Sequence, residues 1–197
     1  PTSITKLPNY AFNCCKSLTE IDIPSSITSI GFYAFFGCKS LVKITIPESV
    51  TNIECGAFCD CSSLEEIIVP SSIQSLEYAT FSRCESLKNI VMTDSITSIG
   101  NYVFYGCKSL KEVSIPSTVA SIGKGTFKGC SALTKIELPS SMNIIEKSLL
   151  KYCSSLSEIK IPSSITRIEK YAFKRCSALT QITFPSSIII LDKTILQ

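Results

Sequence analysis

The stretch IGFYAFFGCKSLVKITIPES, residues 30–49, holds in miniature the pattern that the whole chain follows. Leu41, Ile44 and Ile46 give Leu-x-x-Ile-x-Ile, Pro47 follows at once, and Ser49 stands two residues beyond the proline. The same order returns every 23 residues with no insertion or deletion. The units run from Pro1 to Ile23, Pro24 to Ile46, Pro47 to Val69, Pro70 to Met92, Thr93 to Ile115, Pro116 to Leu138, Pro139 to Ile161 and Pro162 to Phe184, with a partial ninth from Pro185 to Gln197. A fixed period of this length means a solenoid, in which each unit buries its apolar side only against its neighbours. The unbroken register leaves no linker, so residues 1–197 read as one domain of eight complete units and a partial ninth.

The last two apolar residues of Leu-x-x-Ile-x-Ile alternate with period two and are mostly β-branched, which predicts a short strand with one buried face. Stacked units then give one parallel sheet, with strands near residues 20–23, 43–46, 66–69, 89–92, 112–115, 135–138, 158–161 and 181–184. Proline closes the strand because it has no N–H to donate. The Ser/Thr column that follows (Ser3, Ser26, Ser49, Ser72, Ser95, Thr118, Ser141, Ser164, Ser187) suits buried hydroxyls that satisfy backbone amide groups where the chain turns inward. Ile27-Thr28-Ser29-Ile30 alternates again and predicts a second extended piece. Gly or an acid comes next (Gly31, Glu54, Glu77, Gly100, Gly123, Glu146, Glu169, Asp192), as at a helix N-terminus, so a short helix or 3-10 turn is expected from there to the cysteine column. Phe12, Phe35, Phe58, Phe81, Phe104, Phe127 and Phe173 should stack inside the coil. The expected fold class is therefore an α/β solenoid, with the parallel β-sheet on the concave face and short helices or 3-10 turns on the convex face.

Composition narrows the functional classes. An apolar fraction of 45% with 18% charged residues is that of a folded domain with ample core, and no apolar run approaches the roughly 20 residues of a membrane span. No basic segment followed by an apolar one marks a signal peptide, and the chain starts in repeat register. Phe12, Leu18, Ile21 and Ile23 in the first unit have no preceding coil to cover them, which predicts missing upstream repeats and self-association through that end. The net charge of +3 conceals a split: residues 1–98 carry 6 Lys/Arg and 10 Asp/Glu, residues 99–197 carry 13 and 6. In a solenoid this becomes a dipole along the axis. There is no histidine, no Gly-rich phosphate loop and no clustered carboxylate pair, so no catalytic residue, metal site or cofactor is assigned.

Eight of the eleven cysteines (Cys15, Cys38, Cys61, Cys84, Cys107, Cys130, Cys153, Cys176) share one column. Equivalent positions in adjacent coils lie about 5 Å apart with parallel side chains, which does not suit a disulfide. They read as buried free thiols, favouring a reducing setting. Cys55 and Cys59 share one face of the expected helix and Cys14 lies two coils away, too far to join them around zinc, so an exposed Cys55 or Cys59 reads as a surface thiol.

Leu-x-x-Ile-x-Ile-Pro-x-Ser, with Ile30, Gly31, Ala34, Phe35 and Cys38, resembles the 23-residue, BspA-like class of leucine-rich repeats over the whole chain. The resemblance implies an arc with strands on its concave face, and a class whose members are often surface antigens of host-associated microbes that bind host proteins or other cells. The function expected from it is a non-enzymatic protein-protein interaction module of a microbial cell-surface or adhesion protein. An intracellular scaffold or assembly protein using a basic convex stripe is the alternative. The resemblance favours the cell surface; free cysteines and the lack of a visible signal peptide favour the cytoplasm.

The partner surface is read from positions flanking the inner Ile of each strand. Most are polar, but Ile68 and Val91 are aliphatic, and Glu66, Asn89, Glu112, Ser114, Lys135 and Glu137 surround or continue that patch. Two adjacent apolar side chains inside a polar rim have the composition of a binding hot spot, while exposed aliphatics are also ordinary on strands. On the convex face Lys124, Lys128, Lys147, Lys151, Lys170, Lys174, Arg175 and Lys193 form the basic stripe. It suits an acidic protein, an anionic glycan, lipid headgroups or nucleic acid, and nucleic acid is disfavoured because no aromatic interleaving or nucleic-acid motif accompanies it.

Overall fold

The computed structural model describes residues 4–196. Each 23-residue unit makes one coil, and neighbouring coils are joined by parallel backbone pairing at a register offset of 23, as in Ser29 with Asn52 and Ile67 with Ile90. The second extended piece of the repeat is the more regular ladder. Its two-residue strands are β1 (Lys6–Leu7), β2 (Ser29–Ile30), β3 (Asn52–Ile53), β5 (Ser75–Leu76), β7 (Ser98–Ile99), β8 (Ser121–Ile122), β10 (Ile144–Ile145), β12 (Arg167–Ile168) and β13 (Ile190–Leu191). The Leu-x-x-Ile-x-Ile segments pair less continuously. β4 (Glu66–Ile68) pairs with β6 (Asn89–Val91) and β9 (Lys135–Glu137) with β11 (Glu158–Lys160), while Asp22 with Thr45 and Lys160 with Thr183 are single bridges. The expected single sheet is thus divided, and residues 112–115 of the fifth unit take no part in the pairing.

The α/β class expected from the sequence is overturned. Among the described residues there is neither α-helix nor 3-10 turn, and the chain is an all-β solenoid of parallel ladders joined by turns. The reason lies in where the N–H groups of the segment before each cysteine go. In the second unit those of Ala34, Phe36 and Cys38 bond the carbonyls of Gly31, Tyr33 and Phe35 in their own coil. Those of Tyr33, Phe35 and Gly37 instead bond Cys55, Ala57 and Cys59 of the next coil at 2.8–3.1 Å. Local and inter-coil bonds alternate residue by residue. A helix would use every N–H internally and leave the coils unlinked on this side.

Alternation requires two residues per coil in the left-handed region, four positions apart. In the second unit they are Tyr33 (φ 50°) and Gly37 (φ 69°), in the fourth Ala79 and Arg83, in the seventh Ser148 and Tyr152. For a non-glycine residue this costs about 1–2 kcal/mol, against about 1 kcal/mol gained for each inter-coil hydrogen bond and about 2–3 kcal/mol for each buried phenylalanine. The phenylalanines collect that gain. Phe12, Phe35, Phe58, Phe81, Phe104 and Phe127 stack with centroids 5.1–5.9 Å apart, and Phe173 is buried beyond the break at Leu150.

The hydroxyl column is a ladder, but its hydroxyls donate to carbonyls of the preceding coil. Ser49 Oγ bonds Ile27 O at 2.7 Å, Ser95 bonds Ile73 O at 2.8 Å and Thr118 bonds Ile96 O at 2.7 Å. Ser72, Ser141 and Ser187 follow the same rule, and Ser164 Oγ is buried without a partner among the described residues. Ser3 lies outside the described residues.

Two substitutions of opposite sign isolate the cost of the left-handed residues. Ser148→Gly should raise stability by about 0.5–1 kcal/mol, because relief of the backbone exceeds the extra entropy glycine loses on folding. Gly106→Ala should lower it by about 1–2 kcal/mol, since φ is +73° while the nearest side-chain atom to the added Cβ, Cγ of Arg83, stands an unstrained 3.6 Å away. Urea denaturation of each variant checks both, and equal shifts of one sign would refute the account.

Candidate functional site

The strand side carries the residues singled out for a partner. In β4 and β6 the register sets Glu66 beside Asn89 and Ile68 beside Val91, while Ile67 and Ile90 point into the core. Ile68 is 63% and Val91 52% exposed, so the two aliphatic side chains form one small apolar patch on the solvent face. Glu66 is held by Lys43 at 3.5 Å from the coil before. On the other side, Glu112, Val113, Ser114, Lys135 and Glu137 line a shallow cleft of about 200 Å³. Lys135 and Glu137, two residues apart in β9, form an ion pair of 2.9 Å along the strand. That pairing raises the Lys135 pKa and lowers that of Glu137, the hydrogen bond between them being the first cause in both. Glu112 and Ser114 belong to the unpaired fifth unit, so the structure joins Ile68, Val91, Glu66 and Asn89 directly through strand pairing and the rest only through this cleft.

The turn side shows aromatic residues that sequence reasoning missed. Tyr33, Tyr78, Tyr102 and Tyr105 line an open cleft of about 350 Å³ together with Lys128 of the basic stripe. Glycines shape it: a Cβ at Gly56 would fall 2.4 Å from the Tyr33 ring and one at Gly125 2.5 Å from the Tyr102 ring. The signal was present in the sequence as a glycine 23 residues after a tyrosine in the same column.

The thiols are structural. Cys61, Cys84, Cys107, Cys130 and Cys153 lie fully buried, and each sulfur donates to the carbonyl 26 residues earlier, that of the phenylalanine in the preceding coil, at 3.1–3.3 Å. Cys38 and Cys176 make the same bond to Phe12 and Leu150. Burial pushes the thiol pKa up from an ordinary 9.0 to about 11 for Cys38 and Cys176 and about 12 for Cys130, keeping the proton that the ladder needs. Cys15 departs from the expectation for its column. It is exposed, as is Cys14, and all eleven cysteines are free. Cys59, expected as a surface thiol on a helix, is buried in a turn, and Cys55 is half-buried. Among the described residues no three His, Cys, Asp or Glu side chains converge as metal ligands, and no helix is long and apolar enough to cross a membrane.

A 23-residue coil with this proline, serine, phenylalanine and cysteine order is matched by the family model for the BspA type leucine rich repeat region over residues 2–119 and 78–197. The chain belongs to the BspA-type leucine-rich repeat family. A leucine-rich repeat protein from Bacteroides ovatus is 36% identical with a TM-score of 0.83, covering 86% of this chain and 46% of its own. The chain therefore spans about half the length of that relative. The Treponema pallidum leucine-rich repeat protein is 29% identical (TM-score 0.63; 91% of this chain, 75% of that one). A leucine-rich repeat protein from Eubacterium ventriosum, 22% identical with a TM-score of 0.59, covers 100% of this chain and 81% of its own and shares the fold. Among curated proteins none matches the chain.

The raised thiol values have a definite sign in this BspA-type solenoid. Unfolded thiols lose their protons near pH 9 and the buried ones only at higher pH, so stability is full below that value and falls as pH rises toward 12. Denaturation midpoints should be level between pH 6 and 8 and decline above 9, with a shallower decline in the Cys107→Ala, Cys130→Ala double variant. An unchanged slope in that variant would remove the thiols as the cause.

Proposed function

We propose that this repeat domain is a non-enzymatic protein-binding module, part of a microbial cell-surface or adhesion protein, whose protein partner docks on the strand side around Ile68 and Val91. The observation that carries the reading is the register of β4 and β6, which sets these two exposed aliphatic side chains directly opposite each other. Glu66 and Asn89 border them on the same strands, and Glu112, Ser114, Lys135 and Glu137 extend the polar rim through the adjoining cleft. A small apolar centre that a polar rim can seal from water is the composition from which binding energy concentrates. The family resemblance supports surface placement, and protease shaving of intact cells tests it. The apolar cluster that continues from Ile23 to Ile195 supports reading the chain as one domain. Phe12, Leu18 and Ile21, only partly buried where their counterparts Phe35, Leu41 and Ile44 are fully so, support self-association through the first coil.

The Ile68→Asp, Val91→Asp double variant should fold as the parent does, because both side chains already face solvent, and should lose roughly 2 kcal/mol or more of binding per anchor. Cross-linking on the source cells supplies the partner, and titration calorimetry measures the loss. A partner bound with unchanged affinity by this variant would overturn the strand-side assignment.

A further inference from the structure

The turn side of the last coils carries cations in two columns. Lys124, Lys147, Lys170 and Lys193 recur at 23-residue intervals and are exposed; Lys128, Lys151 and Lys174 recur likewise, four residues on, and are half-buried. Inter-coil hydrogen bonds hold both columns in step. The carbonyls of Lys124, Lys147 and Lys170 accept from the N–H groups of Tyr102, Gly125 and Ser148 at 2.9–3.0 Å. Those of Lys128, Lys151 and Lys174 accept from Gly106, Gly129 and Tyr152 at 2.8 Å. Successive lysines in a column therefore stand on backbone about 4.8 Å apart.

None of these cations has a carboxylate within salt-bridge distance among the described residues, whereas most cations elsewhere on the protein do. Lys43, Lys88, Lys108 and Lys135 are each paired with a glutamate. Three carboxylates do lie in the same turn segments, but two are engaged: Glu169 with Arg167, and Asp192 with the N–H and hydroxyl of Thr194 at 2.9 and 2.6 Å. Asp192 also feels the charges of Lys170 and Lys193, and Glu146 lines the cleft it shares with Lys124 and Asn143. With Arg175 the segments hold eight cations against these three acids. The second column is ordered as well. Lys128 lies 5.2 Å over Tyr105, Lys174 5.0 Å over Tyr171, and Lys151 4.9 and 5.5 Å over Tyr152 and Tyr171.

We propose that this double lysine ladder is a binding surface for an acidic polysaccharide, a linear chain carrying a carboxylate or sulfate on successive sugars. The ladder offers a rigid row of charges at a repeat comparable with the rise of one sugar, which such a chain can follow in its extended form. Half-buried lysines whose ammonium groups are held over tyrosine rings lose less freedom on binding than free lysines. The same contacts set the chemical class. The ammonium groups sit on the tyrosine faces that bases would need for stacking, which disfavours single-stranded nucleic acid. A bilayer would need apolar side chains among the cations, and between Lys124 and Lys174 only Tyr152 is a large exposed apolar residue among the described residues, the exposed Ile189, Ile190, Leu191 and Leu196 lying at the end of the last coil. The surface is separate from the strand-side patch and does not depend on it.

A size-defined heparin hexasaccharide is the probe, titrated at low and physiological salt against the parent and the Lys147→Gln, Lys151→Gln, Lys170→Gln, Lys174→Gln variant. Affinity should fall about tenfold or more in the variant, with a flatter salt dependence. The Lys43→Gln, Lys88→Gln control, on acid-paired lysines, should bind as the parent. Should the quadruple variant not fold, Lys147→Gln, Lys170→Gln, which alters exposed side chains only, should show a partial loss. Absence of hexasaccharide binding at low salt, or equal binding by parent and variant, would overturn the proposal. So would tighter binding of a thymidine dodecamer or of phosphatidylserine vesicles through the same lysines.

Discussion

The alternation of backbone hydrogen bonds between a coil and its neighbour is the constraint on which the rest of the molecule rests. Of the six consecutive N–H groups from Tyr33 to Cys38, three close turns within the coil and three cross to the next, and the other coils follow the same alternation. The crossing bonds force two left-handed residues per coil, and the strain is tolerated because the peptide flips that cause it also lay the phenylalanines face to face. A coil cannot change its turn conformation without losing bonds to the one beside it. This is why the insertion-free period of 23 residues persists: an extra residue would break the offset that every ladder shares.

The column chemistry follows from the same offset. A hydroxyl or thiol on one coil lies over a carbonyl of the coil before, at a separation of 22 residues for the serines and 26 for the cysteines. The thiol adds a second bond to a carbonyl that already accepts the N–H of the cysteine in its own coil, as Phe35 does from Cys38 and from the Cys61 thiol, and so ties the two coils together. Cysteine is the weaker donor but the more apolar side chain, and it occupies the site packed against the phenylalanine stack, whereas serine occupies the half-buried one near the proline.

Much of this is legible in the sequence, while the helix, the continuity of the sheet, the exposure of Cys15 and the burial of Cys59 are not. Period, core columns, the second extended piece and the patch of Ile68 and Val91 follow from counting residues, because apolar periodicity reports burial directly. Gly31 and its acidic counterparts resemble helix starts and so point to a helix before the cysteine that the structure does not contain. The evidence against a helix lay in other columns: glycine recurs at Gly37, Gly106 and Gly129 and at Gly56 and Gly125, all at positive φ, where a helix has no use for it. Tyrosine, arginine, alanine and serine at the equivalent positions mask that column, since single residues tolerate the left-handed region at moderate cost. The unpaired fifth strand left no mark, for Glu112 to Ile115 keeps the full alternating pattern.

Because every unit repeats the same scaffold, the two faces differ only through residues that the scaffold leaves free, and they use charge in opposite ways. Near the apolar pair Ile68 and Val91 on the strand side, lysines lie against glutamates one coil away, as Lys43 does against Glu66 and Lys88 against Glu65, so the pair stands in a nearly balanced field. A partner there gains by excluding water, and salt should matter little to it. Along the turn side the first coils present aromatic rings and the last present unpaired ammonium groups, a field that salt screens and an anion completes. Stacking by a fixed offset turns each free residue into a row, and a row of like charges on exposed side chains repels itself, so an extended polyanion that displaces the counterions gathered along it gains from every coil it crosses.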